Sequence, residues 1–293
     1  MTITVGFVGL GHMGAPMAGQ LLKAGFSVCV FDKVPEALSL LSEQGATVVE
    51  GLLEIAKQDV VITMLPHDAA VIAVYDELSR IVKTPTILMD CSTVSIATTL
   101  AIHAKAKAMG LDLLDAPVSG GTKAAANGVL TFMVGGEASV LEKVRPLLAA
   151  MGKQIYLAGA ASHGQAAKIC NNMLLGISML GVGEMFHLAN KLGLDPQKVF
   201  EITSHASGRC WSLTDYCPWP DILPDVPSSR DYQPGFTAQM MLKDLTLAEQ
   251  AASAHGAACV LGSAAGAMYR LFCQQGNANL DFSAILTMLE GEM

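Results

Sequence analysis

Short apolar runs alternate with amphipathic segments along the first half of the chain. The runs contain almost only hydrophobic side chains, and they are Ile3–Val8, Ser27–Phe31, Val60–Leu65, Thr86–Asp90, Leu111–Asp115 and Leu130–Val134. Segments of helical length lie between most of them, as at Ile96–Met109 and Ala138–Met151. Strands without polar alternation are buried on both faces of a sheet. The pattern therefore predicts a parallel sheet covered by helices, which is a doubly wound α/β domain.

The pattern changes near residue 160. After the glycine-rich segment 156–164 (YLAGAASHG) no further strand is predicted, and Asp195 and Pro196 are typical of a helix start. The predicted helices are Gln165–Leu192, one that begins at Asp195–Pro196, Phe236–His255, Leu261–Gln274 and Asp281–Glu290, with a proline-rich loop at Cys217–Gly235. We predict two domains, an α/β domain at residues 1–163 and an all-helical domain at residues 164–293.

The composition indicates a folded protein with a large apolar core. The chain has 293 residues, of which 52% are hydrophobic and 15% charged, and this excludes a disordered chain. Aromatic residues are few, at 5%, and the formal net charge is -8. A general affinity for nucleic acid or anionic lipid is therefore not expected. We predict a small-molecule partner, no nucleic acid, no membrane, and a cytoplasmic location.

Cysteines and histidines are dispersed along the chain. The seven cysteines include no C-x-x-C pair, and the seven histidines show no spacing typical of metal ligands. We expect reduced thiols and no metal site. Apolar stretches such as Met173–Gly183 fall short of a membrane span, and the uncharged start lacks the basic region of a signal peptide.

A glycine-rich motif follows the first predicted strand, and its residues are Gly9, Leu10, Gly11, His12, Met13 and Gly14. Gly9 permits a tight turn, Gly11 lets the backbone approach a pyrophosphate, and Gly14 lets the next helix pack against the strand. The helix N-terminus would present free N–H groups to the phosphates. Because a strand precedes the motif and a helix follows it, the motif predicts a dinucleotide site.

Asp32 ends the second predicted strand, which is the position of the acidic residue in a dinucleotide fold. A carboxylate there accepts hydrogen bonds from the adenosine ribose and repels a 2′-phosphate. NAD is therefore predicted rather than NADP. The neighbouring Lys33 weakens this preference, because its ammonium group can turn toward a phosphate.

A second motif, Asp115–Gly121 (DAPVSGG), follows another predicted strand. Ligands of open α/β sheets bind beyond the carboxyl ends of the strands. Ser119, Gly120 and Gly121 could offer a hydroxyl and successive backbone N–H groups to a carboxylate. An ordinary turn explains the same residues equally well.

The helix predicted from Gln165 carries a polar stripe in apolar surroundings. Lys168 and Asn172 share a helical face with Gln165, and Asn171 lies beside them. Carboxamides in an apolar helix need partners, so the stripe is expected to line a polar cleft at the junction of the domains. Taken alone, Lys168 is equally well explained as a lysine on a wet helix face.

The motifs together resemble the β-hydroxyacid dehydrogenase family. Three shorter segments, Gly208–Ser212 (GRCWS), Tyr232–Phe236 (YQPGF) and Met241–Leu245 (MLKDL), resemble its 3-hydroxyisobutyrate dehydrogenase branch, and the likeness extends to Asp281–Leu286 (DFSAIL). The resemblance implies a Rossmann-type domain followed by an all-α domain similar to that of 6-phosphogluconate dehydrogenase. It also implies NAD as the cofactor and a homodimer or homotetramer.

The resemblance also implies roles for individual residues. Lys168 matches the catalytic lysine, and Asn172 matches the amide that holds substrate and lysine. Besides the glycine motif and Asp32, the cofactor contacts match Leu65, Pro66, Thr93 and Lys243. The substrate contacts match Ser119, Gly120, Gly121, Lys168, Asn172, Trp211 and Phe236. Ala70 departs from the family pattern, in which an asparagine touches the cofactor.

The reaction implied by the resemblance is NAD-dependent oxidation of 3-hydroxyisobutyrate to methylmalonate semialdehyde, a step of valine degradation. Without a metal, a side chain must accept the hydroxyl proton. A lysine in a partly dry cleft loses some preference for its charged form, so Lys168 can act as the general base in oxidation and the general acid in reduction.

Three alternatives stay open. The first is a related reductase of tartronate semialdehyde (2-hydroxy-3-oxopropionate), or of glyoxylate and succinic semialdehyde, although Asp32 argues against members that prefer NADP. The second is a non-catalytic NAD-binding protein, which has no need to keep Lys168 together with Asn172. The third, a thiol enzyme using Cys170 or Cys210, is disfavoured because the sequence suggests no histidine partner.

Overall fold

The computed structural model describes residues 3–83 and 85–291. They form two compact units, one that ends at Lys168 and one that begins at Ile169. The predicted domain boundary at residues 163 and 164 lies a few residues earlier, at the start of the helix in which this division falls.

The first unit is built on a single sheet. Its strands among the described residues are β1 (Thr4–Val8), β2 (Ser27–Phe31), β3 (Thr47–Val48), β4 (Val60–Thr63), β5 (Ile87–Asp90), β6 (Asp112–Asp115), β7 (Val118–Ser119), β8 (Leu130–Gly135) and β9 (Gly152–Gly159). The strand order is β3-β2-β1-β4-β5-β6-β8-β7, with β9 beside β8. All six predicted runs are strands, whereas β3, β7 and β9 were not predicted.

The sheet is mainly parallel, as predicted, and β8 is the exception. Strands β1 to β6 pair in parallel where they are neighbours, but β8 is antiparallel to β6 and to β7. A parallel connection needs a dozen or more residues, and residues 120–129 are too few for one. The chain therefore reverses direction between β7 and β8, and β9 restores a parallel pairing with β8.

Helices cover both faces of this sheet, and they are α1 (Gly14–Lys23), α2 (Pro35–Glu43), α3 (Leu52–Ile55), α4 (Asp68–Ile81), α5 (Ile96–Ala108), α6 (Gly121–Ala126) and α7 (Ala138–Met151). Successive residues of β4 belong to opposite cores. Val61 packs with Tyr75 of α4, while Ile62 belongs to the cluster that contains Met17 of α1 and Leu147 of α7. Burial on both faces explains why these strands lack polar alternation.

The second unit is helical, and its elements are α8 (His163–Lys191, which begins in the first unit), α9 (Pro196–His205), α10 (Trp211–Thr214), α11 (Ala238–His255), α12 (Val260–Phe272) and α13 (Ile285–Glu290). Side-chain oxygens cap two helix starts, with Asp195 accepting from Gln197 N at 2.9 Å and Thr237 from Met240 N at 3.2 Å. No strand occurs in the described part of this unit, as the sequence predicts.

Helix α8 is longer and more continuous than the apolar stretch considered in the sequence. It has 29 residues, and by length and hydropathy alone it is the one helix in the described chain that could cross a membrane. Of its most apolar 18-residue window, 44% is buried inside the protein. The core helix of a soluble protein satisfies the same criterion.

Candidate active site

The glycine-rich loop joins β1 to α1 in a turn that only glycine can make. Gly9 has φ +94°, and a Cβ on Gly14 would lie 1.9 Å from the carbonyl oxygen of Gly9. A side chain at either position would force the helix away from the strand. Gly11 is exposed, and a Cβ there would meet no atom within 4 Å. The loop thus presents bare backbone to a ligand beside the helix N-terminus.

Asp32 lies at the end of β2 and contacts this loop directly. Its Oδ2 accepts a hydrogen bond from Leu10 N at 2.5 Å, and its Oδ1 accepts one from Val34 N at 2.8 Å. The carboxylate is partly exposed, so it retains acceptor capacity for a ligand hydroxyl.

The loops after β4 and β5 are joined through a buried acid. Thr63 Oγ1 and Ser92 Oγ both donate to Asp90 Oδ1, at 2.7 and 2.6 Å. Ser92 Oγ in turn accepts from Leu65 N at 2.9 Å. Leu65 and Thr93, both predicted to contact the cofactor, are therefore carried by two loops fixed to each other at the carboxyl edge of the sheet.

The first turns of α4 and α5, which follow these two loops, are also joined by hydrogen bonds. Asp68 Oδ1 accepts from Ser95 N, Ser95 Oγ and Thr98 Oγ1 at 3.0, 2.5 and 2.6 Å. Burial tends to raise the pKa of Asp68, but the hydrogen bonds from Ser95 and Thr98 outweigh it and the pKa is lowered. At the same turn, Ala70 contributes only its backbone N–H, which donates to His67 Nδ1 at 3.2 Å.

The loop Ser119–Gly121 leaves β7 through two left-handed residues. Gly120 has φ +129° and Gly121 has φ +67°, and a Cβ on Gly120 would lie 2.5 Å from that of Ala124. Ser119 is paired with Thr131 of β8, so the strand fixes the start of the loop. Consecutive backbone N–H groups in such a turn form a concavity suited to an anion.

Helix α8 carries both predicted catalytic residues, and both are buried. Lys168 is 7% exposed and belongs to the first unit, whereas Asn172 is 1% exposed and belongs to the second. Within the second unit, Asn172 Nδ2 donates to Asp244 Oδ2 of α11 at 2.5 Å. Asp244 Oδ1 lies 3.3 Å from Lys243 Nζ, an ion pair without the geometry of a hydrogen bond. Asn171 Nδ2 donates to Asn172 Oδ1 at 2.9 Å.

Trp211 and Phe236 are both supported by residues that the sequence did not single out. Trp211 stacks on Tyr216 with ring centroids 5.0 Å apart. Tyr216 Oη and Phe236 N both donate to Asp281 Oδ2, at 2.9 and 3.1 Å. Burial, together with the charge of Asp281, raises the pKa of Tyr216. The two predicted wall residues thus share one buried carboxylate as their support.

Two family models together match almost the whole chain. The NAD binding domain of 6-phosphogluconate dehydrogenase matches residues 4–159, and the NAD-binding domain of NADP-dependent 3-hydroxyisobutyrate dehydrogenase matches residues 162–289. The chain belongs to the 3-hydroxyisobutyrate dehydrogenase family.

Relatives of this family are similar over nearly all of this chain and over most of their own length. The chain is 46% identical to the NAD-dependent L-serine dehydrogenase of Pseudomonas aeruginosa, covering 98% of this chain and 97% of that protein. It is 42% identical to human mitochondrial 3-hydroxyisobutyrate dehydrogenase, covering 98% and 87%. A solved structure of Mycobacterium tuberculosis 3-hydroxyisobutyrate dehydrogenase with L-serine superposes with a TM-score of 0.94 at 43% identity, covering 99% of both chains.

As a member of this family the protein is an oxidoreductase with an NAD(P)-binding domain. The residues present fit the dinucleotide. Helix α1 begins without a side-chain cap and without an acidic residue in its first turn, so no carboxylate competes for its free N–H groups. No cluster of three or more potential metal ligands occurs among residues 3–83 and 85–291.

The structure groups the predicted site residues by unit. In the first unit, the predicted cofactor residues up to Thr93 lie at or after strand ends at one edge of the sheet. Ser119 is the last residue of β7, and Gly120 and Gly121 follow it. In the second unit, Asn172 and Lys243 share Asp244, while Trp211 and Phe236 share Asp281. Sequence reasoning missed the supporting acids Asp90, Asp115 and Asp281. Asp90 and Asp115 each end an apolar run, and this position was a signal for these two acids.

A pH test of Asp90 follows from its burial. Its Oδ2 has no hydrogen-bond partner among the described residues, and burial raises its pKa above 3.8. A carboxyl group whose pKa is higher in the folded than in the unfolded protein stabilises the fold when the pH is below its unfolded-state pKa. This stabilisation is lost as the pH rises through its folded-state pKa. Asn cannot ionise. We expect the free energy of unfolding of Asp90→Asn, relative to the parent, to increase from about pH 4 to pH 7, as measured by urea denaturation. A constant difference across this range would contradict the expectation.

Proposed function

We propose that the protein oxidises the primary alcohol of 3-hydroxyisobutyrate with NAD, giving methylmalonate semialdehyde, NADH and a proton. The observation that carries the proposal is a buried lysine, Lys168, one helical turn before a buried amide, Asn172, on α8. A buried amine beside an amide on the same helical face is better suited to proton transfer than a lysine on a solvent-exposed face. Membership of the family supports the same chemistry.

The side chains divide the work as follows. Lys168 takes the hydroxyl proton in oxidation and returns it in reduction. The amide of Asn172 is fixed on both sides, because its Nδ2 donates to Asp244 and its Oδ1 accepts from Asn171. Asn172 thereby orients the substrate or the lysine. Ser119 and the N–H groups of Gly120 and Gly121 bind the substrate carboxylate. The nicotinamide supplies the hydride acceptor when the cofactor is bound.

L-serine is the second candidate substrate, because a relative at 46% identity is named an L-serine dehydrogenase and a similar structure contains L-serine. The two compounds share a carboxylate, a central carbon and a hydroxymethyl group. They differ in one substituent, which is a methyl group in 3-hydroxyisobutyrate and an ammonium group in serine. The surroundings of that substituent therefore decide the preference.

Two features favour the methyl group. Trp211 and Phe236 offer apolar surface, and methyl groups gain free energy by leaving water. Asp244 is hydrogen-bonded to Asn172, and its oxygens already contact Asn172 Nδ2 and Lys243 Nζ. An ammonium group would compete with these contacts for the carboxylate. We therefore place 3-hydroxyisobutyrate before serine.

The test is NADH formation with a panel of alcohols. The panel contains both enantiomers of 3-hydroxyisobutyrate, both enantiomers of serine, glycerate and 4-hydroxybutyrate, each with NAD and NADP. The reverse assay uses tartronate semialdehyde, glyoxylate and succinic semialdehyde. We expect the highest kcat/KM for 3-hydroxyisobutyrate with NAD. A higher value for serine would select the second candidate, and the absence of turnover with every compound would refute the proposal.

The preference for NAD rests on Asp32. We expect Asp32→Ala to weaken NAD binding by about 10- to 100-fold, because charge-assisted hydrogen bonds to the ribose are lost. NADP binding should change less, since that carboxylate repels the 2′-phosphate. Lys33→Ala is the matched control and should lower NADP affinity only. Fluorescence titration with NADH and NADPH measures the two dissociation constants. If the ratio of these constants is the same in Asp32→Ala as in the parent, Asp32 does not select NAD.

A homodimer or homotetramer is part of the proposal. Large apolar side chains are exposed on the helices and connections of the second unit, and they include Leu174, Leu188, Leu192, Ile202, Val260 and Leu261. Apolar surface of this kind is typical of subunit interfaces. Light scattering coupled to size exclusion measures the mass, and a monomer at micromolar concentration would contradict this part. The cytoplasmic location stays a prediction of the sequence.

A further inference from the structure

Asp115 is a fully buried acid at the end of β6, and its carboxylate is surrounded by donors from two helices. Oδ1 accepts from Ser162 N at 2.8 Å and pairs with His103 Nε2 of α5 at 2.9 Å. Oδ2 accepts from Gln165 N at 3.0 Å. The N–H groups of Ser162 and Gln165 belong to the start of α8, where no earlier turn of the helix can satisfy them.

The start of α8 packs so closely against Asp115 and β8 that no side chain fits at Gly164. A Cβ on Gly164 would lie 2.8 Å from Asp115 Oδ2 and 2.4 Å from the carbonyl oxygen of Met133. Ser162 has φ +72°, a left-handed conformation that costs a residue other than glycine about 1 kcal/mol or more. The surrounding contacts must therefore hold this strained turn, and Asp115 accepts the hydrogen bond from Ser162 N itself.

Gln165 extends the connection to the cofactor side of the same unit. Its Nε2 donates to the carbonyl oxygen of Ser92 at 2.5 Å, and its Oε1 accepts from Val94 N at 3.4 Å. These two contacts hold the backbone on both sides of Thr93. Gln165 itself is fully buried. One side chain thus joins the first turn of α8 to the loop after β5.

We propose that Asp115 is a positioning residue for the oxidation. Its carboxylate fixes the first turn of α8, and through Gln165 the loop of Thr93, so that Lys168 in the next turn is presented in one orientation. This inference rests on the proposed function, in which Lys168 transfers the proton. A displacement of about 1 Å at such a group can lower a rate by about 10²-fold without removing any reacting atom.

The test compares Asp115→Asn with two matched variants. Asn in either orientation places an NH₂ group against Ser162 N or Gln165 N, so one backbone donor loses its acceptor. Gly164→Ala moves the helix start while the carboxylate stays intact. Leu147→Ala removes a fully buried side chain of α7 from the core of the same unit, and it controls for a general loss of stability.

We expect Asp115→Asn and Gly164→Ala to lower kcat by about 10- to 100-fold while the Kd for NADH changes by less than about threefold. Amide hydrogen exchange of residues 162–168 and of Val94 should become about tenfold faster or more. Leu147→Ala should lower the unfolding midpoint but keep kcat. Unchanged exchange at 162–168 or unchanged kcat in Asp115→Asn would overturn the proposal, and so would an equal loss of kcat in Leu147→Ala.

Hydrogen exchange separates this proposal from the proposed function. If the parent protein oxidises no hydroxy acid, the proposed function fails, yet the exchange data still show whether Asp115 holds the start of α8. If the parent is active and only the positioning claim is wrong, Asp115→Asn keeps both its turnover and its exchange protection. Should a variant fail to fold, Gln165→Leu tests the connection between the first turn of α8 and the loop of Thr93. Amide exchange of Val94 should become faster and kcat should fall, and no change in either would overturn this part of the proposal.

Discussion

Replacing Lys168 by alanine is expected to lower kcat for hydroxy-acid oxidation by about 10²- to 10⁴-fold, because in the proposed function Lys168 is the general base. Binding of NADH should remain, since the glycine-rich loop and Asp32 lie on other elements of the first unit. The measurement is steady-state NADH formation with the best substrate of the panel, together with fluorescence titration of NADH. Separate measurement of kcat and Kd distinguishes a lost proton acceptor from a lost cofactor site.

Two matched variants sharpen this test. Lys168→Arg keeps the positive charge but cannot give up its proton at ordinary pH, so it should be about as inactive as the alanine variant. Lys191→Ala removes an exposed lysine from the last turn of the same helix and should keep parent turnover. Near-normal kcat in Lys168→Ala, or in Lys168→Arg, would show that the lysine is not the proton acceptor.

Asp281→Ala is expected to lower the free energy of unfolding by about 3 kcal/mol or more. The carboxylate accepts five hydrogen bonds: from Tyr216 Oη, Gly235 N and Phe236 N on Oδ2, and from Ser283 N and Oγ on Oδ1. Removing it leaves the two buried donors of Ser283 and three partly buried donors without their acceptor, and each buried donor costs about 1–3 kcal/mol. Urea denaturation measures the loss.

The same substitution should raise the KM for the hydroxy acid while the Kd for NADH stays near that of the parent. Phe236 and the Tyr216–Trp211 stack lose their common support, and these residues form the apolar wall in the proposed function. Tyr216→Phe is the milder comparison, because it removes one of the five hydrogen bonds and keeps the ring stack. A loss below about 1 kcal/mol in Asp281→Ala would mean that water or a rearranged loop replaces the carboxylate.

The elements of the first unit were predictable where burial on both faces left a continuous apolar run. Val60–Thr63 and Ile87–Asp90 are strands for this reason. Strands β3 and β7 have only two residues each, too few to produce a pattern. Strand β9 is largely exposed, so its polar and apolar residues do not follow a buried run. The direction of β8 depends on the length of its connection rather than on its own residues.

Candidate site residues could be proposed from the sequence where their chemistry depends on a few neighbouring positions. The glycine turn, the acid after β2 and the stripe of Lys168 and Asn172 each occupy a few neighbouring positions. The supports of these residues are not local. Asp115 binds the start of α8 from 47 and 50 residues away, and Asp281 reaches Phe236 across 45 residues. No periodicity of a single sequence specifies such pairs, because they depend on how the chain folds back on itself.

The continuity of α8 determines which sequence changes between Lys168 and Asn172 can be tolerated. Lys168 and Asn172 are separated by four steps of one helix, which places them about 6 Å apart along its axis and within about 40° of the same direction. Their spacing is therefore set by backbone geometry and not by Ile169, Cys170 or Asn171. Conservative changes at those three positions keep the spacing. Deletion of one of them would turn Asn172 by about 100° about the axis of α8 relative to Lys168, so the number of intervening residues is more constrained than their identity.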